Sequence, residues 1–386
     1  MKKTILFVFT LVCLGTNAQV VNIPDQHLKF LLLSGNVTSD EEGNSIALDI
    51  NTDGEIQLTE AQMIYGIHLW PDLQHQISDL TGIGAFSNLS YLMIKEHQVT
   101  TLDMSGNANL AILESVNNPV TSINVSSNLN LDRLECPGNL LTQIDISNNV
   151  NLRNLDMTSN QLSDLDVNSN VNLEILQVGD NQLSDLDVSN NIHLLGLVFN
   201  HNTLTEIDVT HHPELAVLYC GNNELLTVDV SNNPELDFFD CSNNPLTSFS
   251  IKNGSLLAIF GFSGTPDLQY ICADDFETST VQAKITEYGY TNIVVNSACN
   301  SLGMENLASN QPTLFPNPAK SHVVIGNTPI GSALTITDLA GELVYEGIAT
   351  SGESVVSTTC FLNGMYLVTI SYNDKSVIKK LVIGEN

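Results

Sequence analysis

The stretch LRNLDMTSNQLSDLDVNSNVN, residues 152–172, decides the fold, because it is one unit of a period that runs through the middle of the chain. Leu152 recurs every 21 residues, from Leu89, Leu110 and Leu131 through Leu173, Leu194, Leu215 and Leu236 to Leu257. A second column runs three residues later, from Leu92 to Phe260. A third lies two further on, from Ile94 through Cys136, Cys220 and Cys241 to Phe262. Others pass through Leu162 and Leu165. One unit buries about six apolar side chains, worth roughly 9–18 kcal/mol. Ordering its backbone costs roughly 20–40 kcal/mol. A lone unit therefore cannot stand. Stacked units share their apolar faces and bond strand to strand, so the array folds as a solenoid with rungs about 4.8 Å apart.

A period of 21 carrying L-x-x-L-x-hydrophobic-x-x-N resembles the leucine-rich repeat family. The expected fold class is mainly β: a leucine-rich repeat solenoid of 21-residue repeats over 86–265, a small α/β N-terminal cap over 19–85, and a closing cap over 266–300. In this family the first strand of each repeat lines the concave face. Its outward residues here include Tyr91, Met93, Ile112, Glu114, Arg133, Glu135, Asp156, Ile175, Gln177, Val217, Tyr219, Phe238 and Asp240. Exposed Tyr, Phe and Ile are unusual on a face that meets only water, so this row is the candidate ligand surface for a protein or glycan. A second half-repeat, with inward residues from Met104 to Ile251, also alternates and predicts a short second strand.

Two polar ladders follow the same period. Asn118, Asn139, Asn160, Asn181, Asn202, Asn223 and Asn244 are expected to satisfy backbone groups at the turns. Asp103, Asp145, Asp166, Asp187, Asp208 and Asp229, broken at Asn124 and Ser250, are expected to make turn hydrogen bonds and confer solubility, with cations between rungs as the alternative.

The cap carries DINTDGEIQLTE, residues 49–60, which fits the twelve-residue calcium loop and resembles EF-hand and dockerin loops. Asp49, Asn51 and Asp53 offer oxygens at alternate positions, Glu55 its carbonyl and Glu60 a carboxylate, for one structural Ca2+. Gly54 permits the turn, Gln57 would hold a water, and a helix is expected over 59–67. Cys136, Cys220 and Cys241 read as core. Cys272 and Cys299 flank the closing segment and are the candidate disulfide. His193, His201, His211 and His212 cluster in sequence near one repeat, and their His-His pair is weak evidence for the converging ligands that zinc needs.

Both ends read as addresses. Lys2 and Lys3, an apolar run from Ile5 to Leu14 and small residues up to Ala18 make residues 1–18 a signal peptide. After a linker over 301–313, residues 314–386 show the F-P-N-P opening at 315–318, Asp338-x-x-Gly341, Gly364-x-Tyr366-x-Val368-x-Ile370 and Lys379-Lys380-Leu381-Val382-Ile383. These resemble the type A sorting domain of the bacterial type IX secretion system. The resemblance implies a small β-sandwich, engagement of the secretion machinery, outer-membrane passage, and release or attachment to outer-membrane lipopolysaccharide.

Among 386 residues, 43 are acidic and 12 basic, which excludes nucleic acid as a partner. No nucleophile elbow, phosphate loop or zinc triad appears, and the two arginines, Arg133 and Arg153, face no acidic cluster visible in the sequence. The expectation is a non-enzymatic secreted or surface binding protein; a polysaccharide hydrolase or lyase, or a passive spacer, are the rivals.

Overall fold

The computed structural model describes residues 19–299, 312–338, 341–372 and 375–384. The expected signal peptide, most of the expected linker and the two residues before Gly341 lie outside them. The chain divides into two compact units, Met1–Cys299 and Asn300–Asn386.

In the first unit the first strands of the repeats, from Tyr91–Lys95 to Ile259–Gly261, join one 11-stranded sheet. Rungs pair in parallel and in register, Leu134 opposite Leu155 and Leu155 opposite Leu176. The columns of Leu, Cys and Phe point inward and are buried. Each strand ends in a bend set by one residue in the left-handed region. This column reads Glu96, Asn117, Gly138, Ser159, Asp180, His201, Asn222, Asn243 and Gly264, with φ between 53° and 67°. Gly, Asn, Asp and His tolerate that region better than other types. At Gly138 a Cβ would also run into the Asn117 side chain of the rung before.

The sheet starts before the repeats do. Thr38–Ser39 pairs antiparallel with Gly66–Leu69, which pairs in parallel with Tyr91–Lys95. Ile67 and Leu69 thus extend the inward columns of Leu92 and Ile94, at a spacing off the repeat period. The helix expected over 59–67 is one turn, Leu58–Ala61, because the chain must re-enter the sheet at Gly66. A separate helix, Gln26–Leu33, is capped by Asp25, which accepts from the His27 and Leu28 N–H groups.

The second strand forms only toward the ends. Thr101–Asp103 pairs with Ser122–Asn124, and Thr227–Asp229, Ser248–Ser250, Tyr270–Cys272 and Val294–Asn296 make a four-stranded parallel sheet. Within the repeats, each pair that forms sets an Asp beside an Asn or Ser: Asp103 opposite Asn124, and Asp229 opposite Ser250. Asn124 Nδ2 donates to Asp103 Oδ1 at 2.9 Å. Asp145, Asp166, Asp187 and Asp208 would stack carboxylate on carboxylate. Each accepts from the N–H two residues on, at 2.9–3.0 Å, as Asp103 and Asp229 also do, and at these rungs the strand gives way to turn.

The predicted Asn ladder satisfies the bends. Asn160 Nδ2 donates to the carbonyls of Cys136 and Met157, while its Oδ1 accepts from Leu141 N. A second amide ladder was not read from the sequence: Asn107, Asn128, Asn149, Asn170, Asn191 and Asn233, all fully buried. Each donates to two carbonyls of the preceding rung; Asn170 Nδ2 reaches Ile146 O at 3.1 Å and Asn149 O at 2.9 Å. His212 occupies this column and reaches only Val188 O, through Nε2 at 3.1 Å. It is therefore a rung of the ladder and no partner of the exposed His193, His201 and His211. Helix Thr278–Glu287 and the Cys272–Cys299 disulfide close the unit.

The second unit has a three-stranded sheet, Thr313–Phe315, His322–Gly326 and Ser354–Ser357. Its four-stranded sheet runs in the order Leu343–Ile348, Ala333–Asp338, Gly364–Tyr372, Lys375–Ile383. All pairings between these strands are antiparallel. Val323, Ile325 and Val356 from one sheet share a core with Leu334, Ile336, Val368 and Leu381 from the other, as a sandwich requires. The motifs explain one another: Asn317 of the opening accepts from Val382 N and donates to Lys380 O, clasping the closing strand. Asp338 accepts from Glu342 N and Gly341 takes φ +86° to turn the hairpin.

Candidate functional site

The outward side chains of the long sheet form two rows. One runs Tyr91, Ile112, Arg133, Asn154, Ile175, Gly196, Val217, Phe238, Ile259; the other Met93, Glu114, Glu135, Asp156, Gln177, Val198, Tyr219, Asp240, Gly261. The strands thus bring the predicted face together, with different chemistry at its two ends.

The end nearest the cap is charged and internally paired. Tyr91 Oη donates to Glu114 Oε1 at 3.0 Å, Lys95 Nζ lies 3.2 Å from Glu114 Oε2, and Arg133 pairs with Glu135 at 3.6 Å. Burial and the Glu114 charge push the Tyr91 hydroxyl up to about 12. Burial, with Glu114 beside it, raises the Glu135 carboxyl above its ordinary range, while Arg133 opposes the rise. Lys95 also lies over the Trp70 ring at 5.6 Å. Met93, predicted on the accessible face, is only 2% exposed. It sits between His68 and Glu114 in the register, and at that burial it belongs to the packing and offers a partner no contact surface.

The far half is more apolar. Ile175 and Ile259 are 37% and 52% exposed, and Val198, Val217, Tyr219 and Phe238 are half-buried. Asp156 and Asp240 each accept from a backbone N–H two residues on, so both also serve turns. The sequence reveals no acidic cluster facing either arginine; in the fold Arg133 meets Glu135, and Arg153 Nε lies 2.5 Å from Asp132 Oδ1, with Glu174 adding to the field that holds its proton. Side-chain reach across adjacent rungs, invisible in linear spacing, makes the second pair.

In the 49–60 loop the acidic oxygens turn inward onto N–H groups. Asp49 accepts from Asp53 N and Gly54 N, and buried Glu60 from Ile50 N and Gln57 N. Asn51 Nδ2 donates to Asp53 Oδ2 and Gln57 Oε1, and Glu55 pairs with Lys29 at 2.7 Å. Thr52 and Gly54 adopt positive φ. Among the described residues no group of three or more His, Cys, Asp and Glu side chains is set to hold a metal. The donor set is all oxygen, the chemistry that calcium takes.

Residues 313–384 match the family described as the secretion system C-terminal sorting domain. They are the sorting domain of type IX secretion, which marks the protein for export to the outer cell surface or beyond and implies contact with the secretion machinery. The structure is similar to the functional domain of InlJ from Listeria monocytogenes, at 17% identity and TM-score 0.47, covering 95% of this chain and 99% of that one. It is similar also to internalin C2 of that organism, at 18% identity and TM-score 0.42, covering 66% and 97%. PorZ of Porphyromonas gingivalis, a surface component of the type IX system, is similar at 22% identity and TM-score 0.19 over 20% of this chain and 12% of its own. No curated protein matches the sequence. The solenoid assignment rests on the topology above.

Proposed function

We propose that this is a non-enzymatic, secreted or surface-held leucine-rich repeat protein that binds a protein or glycan through the open face of its long sheet. The observation that carries the reading is the apolar half of that face, where Tyr219 and Phe238 lie on neighbouring rungs between partly exposed aliphatic residues. Buried aromatic anchors commonly dominate such interfaces. Arrays of extracellular proteins and glycans test it: with a ligand in hand, Tyr219→Ala and Phe238→Ala each weaken binding at least about fivefold. Unchanged affinity in both would move the site off the sheet. A hydrolase reading draws on Glu135, whose raised carboxyl stands beside Glu114; polysaccharide turnover lost in Glu135→Gln would favour it.

The proposal includes one structural Ca2+ at residues 49–60. Asp49, Asn51, Asp53 and Glu60 would hold it with the Glu55 carbonyl, offsetting charges that otherwise repel within a short loop. Bound calcium supplies positive charge, not chemistry. Val21 N donates to Ile56 O and Leu58 N to Gln19 O, so the loop fixes the first described residues. Calorimetric titration should give a heat of binding that Glu60→Gln removes; no heat in the wild type ends the calcium reading. Attachment to outer-membrane lipopolysaccharide through the sorting route is proposed on the same footing.

A further inference from the structure

Gly196 stands in the middle of a strand, at an outward position, between Ile175 and Val217 of the adjoining rungs. Nothing in the backbone asks for glycine there. Its φ is not positive, and a Cβ built on it would meet no atom within 4 Å. Glycine weakens a strand interior and marks places where another group comes close. Gly196 is itself buried between these neighbours, and the space its side chain would fill is empty, which leaves a narrow notch in the row. Beside it, where the chain enters these strands, lies a cavity of about 520 Å³. Its walls include Asp132, Arg153, Glu174, His193, Leu195 and Glu214.

Asp132 is occupied by Arg153. Among the described residues no ion pair or side-chain hydrogen bond engages Glu214, and none engages the Glu174 carboxylate. The cavity therefore offers two carboxylates, Glu174 standing in the field of Arg153 and Glu214 apart from it, with Leu195 at 41% exposure as an apolar wall. Its lining holds no Trp, Tyr or Phe ring, the usual platform for a sugar. The surrounding unit is strongly acidic: residues 19–299 hold 36 acidic and six basic side chains. That field repels a second copy and attracts cations.

We propose that the notch and cavity form a subsite for a lysine or arginine side chain of a partner protein, whose apolar neighbours lie across Ile175, Val217 and Phe238. This rests on the sheet-binding reading and adds the chemistry of the partner: an extended segment alternating basic and apolar residues.

The test is titration of the full secreted protein with a short peptide alternating Lys and Val, beside a Glu-Val counterpart and partly deacetylated chito-oligosaccharides. The Lys-Val peptide should bind, and bind more weakly as salt rises. Glu174→Gln and Glu214→Gln should each weaken it about threefold or more. Gly196→Val should weaken it at least about tenfold while leaving the thermal midpoint equal or higher, because a β-branched residue suits the strand. Glu224→Gln, an exposed acid outside the cavity, should change little. The inference is overturned if no peptide binds, if only the glucosamine oligomers bind, if Glu224→Gln matters as much as the cavity acids, or if Gly196→Val binds normally. Loss in Phe238→Ala with normal binding in Gly196→Val would overturn the subsite and leave the sheet reading standing.

Discussion

In the solenoid the backbone is held at the bends by buried amides, two ladders of Asn that reach from rung to rung. In the C-terminal sandwich the strands are antiparallel, and hairpins such as the one at Gly341 close much of their own hydrogen bonding. The difference follows from strand direction. A parallel coil cannot return through a tight hairpin, so its turns leave inward carbonyls whose hydrogen bonding side chains complete. Charge divides in the same way: 36 acids against six bases over residues 19–299, but six against four over 314–386.

The sharpest way to break this contrast is to remove one ladder rung. Asn170→Ala takes the side-chain donor from the Ile146 and Asn149 carbonyls and leaves each with only its backbone N–H partner. Two lost hydrogen bonds should cost about 1–3 kcal/mol. Calorimetry should show the solenoid transition moving and the sandwich transition staying. If both move together, the two units do not melt independently and the contrast fails as a stability statement.

The reverse experiment is Leu381→Ala, at a fully buried position in the sandwich core. A cavity there should cost about 2–5 kcal/mol, confined to the second transition. Acid should act on the solenoid. Hydrogen bonds from the side chains and N–H groups of Ser105, Ser147 and Thr210 hold Asp103, Asp145 and Asp208 below the ordinary carboxylate range. A folded value below the unfolded one gives stability present above the unfolded value and lost as pH falls through the folded one. The solenoid midpoint should therefore drop on acidification below about pH 4, read by circular dichroism across a pH series. A flat profile would mean these turn bonds carry little energy.

The smallest effect sharpens the picture most finely. His212 makes one ladder bond where its neighbours in the column make two. His212→Asn should restore the missing donor and raise stability by about 0.5–1.5 kcal/mol, measured by denaturant unfolding. A loss instead would show that the imidazole fills volume the amide cannot.

What the sequence disclosed follows this same physics. Inward Leu columns, the Asn118–Asn244 ladder and the strands of the sandwich were legible because each repeats a pattern or a motif. The second ladder was equally periodic but hidden among Ser-Asn-Asn runs, where Asn149 looks no different from Asn148. Only burial separates them, and burial belongs to the coil. The left-handed column was missed because its residues, Glu96 to Gly264, share a backbone preference and no side-chain chemistry. Of the predicted site, the rows of the open face assemble in order; Met93 is lost to burial at the end where the cap, off period, adds a strand that sets His68 beside it. The Gly196 notch could have been noticed as the one glycine between Tyr91 and Phe238 in its own row. The cavity beside it depends on side chains four rungs apart in the stack, which no single repeat displays.

The register between rungs has one more consequence. Every strand in the array meets its neighbour through residues 21 positions away, and the ladder amides reach back by that distance or three more. Excising one whole period from the interior therefore rejoins equivalent partners and shortens the molecule by a single step, whereas removing any other number of residues misaligns every column beyond the cut. Length in this protein is a countable quantity, open to change by duplication or loss of whole turns while the two ends, each built differently, stay fixed as its stops.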